Sequence, residues 1–365
     1  MRPQIPAAVF LRVLLVARLL REVSFLGAEE LVRSPARQTI GVRMTFGDDA
    51  LVYFTERLSP DRLRETTVGV VKKAKRNKAF QWSRWIGLAF DGSGMGRSKD
   101  QRCEKCRPVR NKEKEITGYH HKTVMVSVGG TGLSLPLDAE PYGPGDSEYA
   151  AGQRLLHRTV KNLGVRFADY AVVDGEFATA PFLHAAGDEG LRVVARLKDN
   201  LPELSEAAQR RFVSKPPDQK FRAGDDRVEI WDADDFDPWD TLRWETVRVI
   251  RYRQYKPDGT VVEAYWLTDW LKSDVGSRDL YHMAKSRWEI ENQGFNDGKN
   301  RYGLEHICHH HPNSLLINWL LIALTLTLER LYRNRYLHRG SHTTLEAVTL
   351  VRLLWMSLGR RINSS

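Results

Sequence analysis

Two acids share one setting. Asp91 follows the apolar run Ile-Gly-Leu-Ala-Phe, Asp174 follows Tyr-Ala-Val-Val, and a glycine comes next in both. A carboxylate at the C-terminal end of a buried strand is held by a rigid element and still faces a crevice, which is where open α/β sheets place their sites. One such aspartate is commonly a turn residue; two in the same setting are harder to dismiss. Further along, Arg287 and Glu291 are an i,i+4 pair, so they lie on one helical face, whereas Glu289 points about 200° away from Glu291. An exposed pair of this kind contributes only about 0.3–0.5 kcal/mol, and on spacing alone that plain reading wins. Cys103-x-x-Cys106 suggests a different chemistry, half of a zinc site in a polar, basic loop. Cys308 with His306, His309, His310 or His311 could supply the other half; thiols without metal are the simpler reading.

These groups sit in a chain of 365 residues, 42% of them hydrophobic. That is enough for a sizeable core and two or more structural units. Lysine and arginine total 56 against 46 acids, a net charge of +10 with a pI near 9.5. Such an excess points to a polyanionic partner, nucleic acid first, with the stretches 72–78 and 97–114 as candidate backbone contacts. Three cysteines make no disulfide framework and fit a reducing compartment. The apolar N-terminal stretch is interrupted by Arg12, Arg18, Arg21 and Glu22. It reads as an amphipathic helix packed on the protein rather than a membrane span. The expectation is a cytoplasmic chain, nucleoid-associated when on DNA, with no membrane partner.

The elements that must position the acids can be read in outline. Residues 1–82 form a helical N-terminal region. Strands are expected at 85–93, ending in a Gly-Ser turn, and on both sides of the Gly-Gly-Thr-Gly turn after Lys122. A helix follows over 147–164, capped by Ser147 and ended by Gly164. Strand, helix and strand then follow Asp169, giving a mixed α/β sheet covered by helices. Alternating residues over 199–265, with a Pro-Asp-Gly turn, read as a β-rich insertion. Helices resume near 277, and the apolar segment from Asn313 reads as a buried core helix. The glycines of Asp-Gly-Ser-Gly-Met-Gly-Arg (91–97) read as turn formers, because the phosphate-loop pattern is absent. His120 and His121 begin a strand, with no partner assigned. No helix-turn-helix is evident.

Three segments, Gly-Leu-Ala-Phe-Asp-Gly-Ser, Tyr-Ala-Val-Val-Asp-Gly-Glu-Phe and Arg-Trp-Glu-Ile-Glu-Asn-Gln-Gly-Phe-Asn-Asp-Gly-Lys, resemble the acidic motifs of bacterial insertion-sequence transposases of the Asp-Asp-Glu class. The nearest subgroup has a Tyr-Arg-Glu-Lys signature and a β-rich insertion before its glutamate. The resemblance covers roughly residues 85–335 and implies a ribonuclease-H-like sheet. It implies Asp91, Asp174 and Glu291 as catalytic, metal-binding acids, and Arg287 and Lys299 as the signature cations, which bind DNA or orient the site; Trp288 could flank it. Two positions depart from the pattern. Ala284 stands where the signature tyrosine would fall, with Tyr281 a turn earlier. Lys299 is one residue late, about 80° off the Glu291 face on a continuous helix, an offset that its long side chain or a helix distortion at Gly294 or Gly298 could recover.

The implied activity is cleavage at transposon ends followed by attack of the freed 3′-hydroxyl on target DNA. Three acids suit two Mg²⁺ ions, with Mn²⁺ as a substitute, since hard cations take oxygen ligands. A structural zinc at Cys103 and Cys106 is the lesser expectation. A homodimer follows from the need to join two ends. The domain reading is a helical region over 1–82 with a DNA-binding role open to it, then a ribonuclease-H-like core over 83–198 and again over 266–337. The β-rich insertion over 199–265 interrupts that core, and a helical tail covers 338–365. The alternatives are a catalytically silent DNA-binding derivative and a nuclease without strand transfer.

Overall fold

The computed structural model describes residues 5–337 and 346–359; the remainder of the expected C-terminal tail lies outside the described residues. Five helices open the chain: α1 (Ala7–Leu19), α2 (Phe25–Arg33), α3 (Ala36–Ile40), α4 (Asp48–Arg57) and α5 (Pro60–Arg76). The four strands that follow are β1 (Gly87–Ser98), β2 (Arg107–Arg110), β3 (Ile116–Gly129) and β4 (Leu135–Tyr142). Next come α6 (Glu148–Leu163), β5 (Tyr170–Val173), α7 (Ala180–Asp188), β6 (Arg192–Leu197) and α8 (Pro202–Val213). Four more strands, β7 (Gln219–Ala223), β8 (Asp226–Phe236), β9 (Val247–Tyr255) and β10 (Val261–Thr268), precede α9 (Ser277–Glu289). A π-helical segment (Ile290–Asn296), α10 (Asp297–Tyr302), α11 (Pro312–Tyr332), a second π-helical stretch (Arg333–Leu337) and α12 (Ala347–Gly359) complete the order.

The strands join in one mixed sheet. Its centre runs β4-β3-β1-β5-β6, with β3 antiparallel to both neighbours and β1, β5 and β6 parallel. This is the ribonuclease-H-like arrangement. The insertion does not form a separate layer. β10 pairs with β6, and β9, β8 and β7 continue the same sheet outward. A buried bidentate ion pair, Arg248 to Asp232 at 2.7 and 2.9 Å, ties β9 to β8. The same guanidinium donates to the carbonyls of Leu271 and Val275 at 3.0 and 2.8 Å, anchoring the link to α9.

Strand alternation sorts the core into two faces. Leu88 and Phe90 of β1, with Ala171 and Val173 of β5, pack on the side of α6 and α7. Ala89 and Val172 pack on the side of α9 and α11. Helix α6 begins and ends as its sequence dictates: Ser147 Oγ accepts from the Ala150 N–H, and Gly164 is the C-cap. Helices α1 to α4 share a third apolar cluster with Ile317, Leu320 and Leu321 of α11. Helix α11 is long and apolar enough to cross a membrane, yet 83% of its apolar window is buried inside the protein.

Two expectations are corrected. β1 does not end at a Gly-Ser turn. It continues to Ser98 against β3, and a bulge between Met95 and Arg97 places Gly96 at φ +58°. The start of the 199–265 insertion is helical, because Leu204, Ala208 and Phe212 recur every fourth residue and bury one face of α8.

Candidate active site

The parallel pairing of β1 with β5 ends at Phe90 opposite Val173. Asp91 and Asp174 are the next residues, on neighbouring strands about 4.8 Å apart. By alternation both belong to the face that carries Ala89 and Val172, the face covered by α9. From α9, Arg287 reaches across: Nη1 donates to Asp91 Oδ2 at 3.3 Å and Nη2 to Glu291 Oε2 at 3.1 Å. Its side chain is only 10% exposed and the Asp91 side chain 17%. Four of the expected site residues are thus assembled: Asp91 within β1 where its pairing with β5 stops, Asp174 just past β5, the arginine that spans Asp91 and Glu291, and Glu291 half exposed at the rim. Glu289 faces the other way, accepting from the Gly130 N–H at 3.0 Å.

The charge balance at this site is unfavourable without a cation. Burial pushes the Asp91 carboxyl up to about 7; Arg287 opposes the shift, while Asp174, Glu291 and Glu148 reinforce it. Burial would also raise Asp174, but the Lys198 ammonium and the Gly175 N–H outweigh it and hold that carboxyl below the ordinary range. A cluster of oxygen donors in which one acid resists ionisation fits hard divalent cations.

Two neighbours were missed in the sequence. Lys198, one residue past β6, donates to Asp174 Oδ2 at 2.7 Å. Glu148, in the first turn of α6, accepts from the Tyr142 hydroxyl at 2.6 Å. Its carboxylate occupies the space where a Gly92 side chain would lie. That close approach, rather than a turn, accounts for Gly92.

Other expected residues fall elsewhere. Trp288 packs edge-on to Trp266 at 5.8 Å, with Lys285 at 4.5 Å and the site arginine Arg287 at 5.1 Å from its ring centre, so it touches the site through Arg287. Tyr281 does not replace the signature tyrosine: its ring meets Tyr252 and its hydroxyl faces Gln254 on β9. Lys299 pairs with Glu305 at 3.1 Å. The offset of about 80° applies only to a continuous helix, and the helix is distorted at Gly294, one of the two places expected. A π-turn takes up one extra residue without advancing the face, so across Ile290–Asn296 the offset from Glu291 falls to about 20°.

Cys103 and Cys106 meet neither Cys308 nor His306, His309 or His311. Cys308 lies at Arg18 and the Val23 carbonyl, His309 pairs with Glu56, and His311 caps α11. The two thiols converge with His310, one of the expected partners, and with His121 of β3, to which no partner had been assigned. Some of the basic run 72–78 is structural, since Lys72 and Lys75 donate to the carbonyls of Asn162 and Phe167.

The strand order and the acids on neighbouring β1 and β5 define a ribonuclease-H-like core of the kind used for phosphodiester chemistry. Residues 83–328 match the family described as "Transposase DDE domain", and the chain belongs to that family. A solved structure, the piggyBac transposase synaptic complex with hairpin DNA, aligns with 96% of this chain and 70% of its own, at 14% identity and a TM-score of 0.49. No curated protein sequence matches the chain.

Proposed function

We propose that this transposase cuts DNA at the ends of its element and joins the freed 3′-hydroxyl to target DNA, with Asp91, Asp174 and Glu291 as the acids of the reaction. The observation that carries the reading is Arg287 spanning Asp91 and Glu291 where the pairing of β1 with β5 stops, next to Asp174. Divalent cations held there, Mg²⁺ by ligand preference, would activate the attacking oxygen and stabilise the leaving one.

The chain's own groups have separable roles. Asp91 presents oxygen ligands from within β1 and Asp174 from the end of β5. Arg287 holds the carboxylate of Glu291 towards them, and Lys198 keeps Asp174 ionised. Lys299, brought round by the π-segment, supplies a point charge for a DNA phosphate. The exposed Arg97, Lys99, Arg102, Arg110, Lys112 and Lys114 extend the same electrostatic path. The Arg287–Glu291 pair and the inserted strands before it favour the Tyr-Arg-Glu-Lys subgroup, with Ala284 as its departure. Joining two ends calls for two copies of the chain.

Inverted repeats are expected to flank the coding sequence, and the test uses such an end as substrate, with Mg²⁺, with and without target DNA. Wild-type protein cuts the end and joins it to target; Asp91→Asn and Glu291→Gln bind the end and do neither. Cutting retained by either variant would sink the acid assignment. Cutting without joining would establish a nuclease instead.

A further inference from the structure

Cys103, Cys106, His121 and His310 offer four ligand atoms that all lie within 4.8 Å of one another. The thiols are 3.7 Å apart, and His121 Nε2 stands 3.1 Å from Cys103 Sγ and 3.6 Å from Cys106 Sγ. A tetrahedral zinc with its usual bond lengths requires sulfur–sulfur and sulfur–nitrogen separations of about 3.7 and 3.5 Å. The thiol separation is also far too long for a disulfide, and all three cysteines are free. His310 completes the set, its ring 5.7 Å from that of His121 and its buried Nδ1 without a hydrogen-bond partner among the described residues. The cluster is largely buried, and thiols and imidazoles are softer donors than those of the acid site.

From this geometry we infer that the four residues form a closed structural zinc site, separate from the acids at Asp91. Its place in the fold gives it a task. It would join the basic loop between β1 and β2 to the body of β3 and to the turn before α11. Gly96 of the β1 bulge lies against Ile307 of the same turn, so the ligands come from segments already in contact. Lys99 and Arg102 are carried on the tethered loop, and Arg97 lies at the end of β1 that leads into it. The zinc would therefore fix a cationic edge that leads out from the first acid, holding it to the segment that follows the third.

The experiment is metal analysis of untagged, reduced protein purified without chelator and then dialysed against trace zinc. About one zinc per chain is expected. Cys103→Ser with Cys106→Ser should lower the content at least tenfold, whereas Cys308→Ser and Glu291→Gln should leave it unchanged. Because the double variant risks misfolding, cobalt is also titrated into wild-type protein. A tetrahedral visible spectrum with thiolate charge transfer supports the site. Zinc below about a tenth of an equivalent, zinc retained by the double variant, or an octahedral cobalt spectrum each overturns it.

Discussion

Asp91→Asn should stabilise the cation-free protein at pH 8 while abolishing its response to Mg²⁺. Asp91 is pushed up to about 7 from an ordinary 3.8. Arg287 and Glu291 face it from α9 and the π-segment, Asp174 from β5 and Glu148 from α6. Between the unfolded and folded values the native chain holds a proton that the unfolded chain has released. The stability contribution is therefore full near pH 4 and is lost as pH rises through 7. Three pH units correspond to roughly 4 kcal/mol, an upper bound for a side chain that keeps some exposure and can relax; a gain of about 1–3 kcal/mol is the working figure for the uncharged isostere. Thermal unfolding in chelator and in Mg²⁺, at pH 6 and pH 8, provides the assay. In chelator the variant should melt above wild type at both pH values, by a larger margin at pH 8 than at pH 6, because the unfolded carboxyl is already ionised at pH 6. Mg²⁺ should raise the wild-type transition at pH 8 and leave the variant unmoved. A variant less stable than wild type at pH 8, or one that keeps the Mg²⁺ shift, would refute the account of the crowded site.

Lys198→Met removes the charge that keeps Asp174 ionised against its burial. Cleavage should fall more at pH 6 than at pH 8, with stability changed by no more than about 1 kcal/mol, as for exposed pairs; an equal fall at both pH values would assign Lys198 to DNA contact instead. Asp232→Ala strands the guanidinium of Arg248 in a site where both side chains are 1% exposed. Denaturant unfolding should show a loss of about 3–5 kcal/mol, much of it recovered by pairing Asp232→Leu with Arg248→Met; a loss under about 1 kcal/mol would mean that the insertion strands do not depend on this pair.

The succession of the central strands along the chain was legible because each carries an apolar run bounded by polar turns, while their order in the sheet was implied only by the family resemblance. The boundaries of α6 were legible from Ser147 and Gly164. The Gly-Ser-Gly run after Asp91 misled, because glycine serves a strand as well as a turn when a neighbour needs the room. Glu148 takes that room, and a second chain segment cannot be seen from the first. The start of the insertion misled for another reason: the alternation in its later strands was extended over α8, whose period is four. Asp91 and Asp174 could be found because apolar run, acid and glycine are contiguous. Lys198 and Glu148 could not, since one reads as a surface lysine after a strand and the other as a helix-capping acid. The zinc ligands divide in the same way. Cys103 and Cys106 announce themselves by local spacing, while His121 lies mid-strand and His310 is one of three adjacent histidines that only the fold can rank.

Lys299 shows where spacing arithmetic itself fails. Counting residues at a fixed angle treats the helix as uniform, and on that basis the lysine lies off the face of Glu291. The segment between them holds Gly294, and Gly298 follows where Leu304 approaches closely. Glycine lowers the cost of leaving regular α-geometry, and the chain does leave it, over Ile290–Asn296. The extra residue in the sequence and the extra residue in the π-turn are the same residue. An insertion that would have rotated everything after it is confined to one turn, so a pattern one residue out of register in sequence is close to register in space. Deleting one residue from that turn should therefore leave Lys299 near the face it already occupies, provided the shortened segment reverts to α-helix.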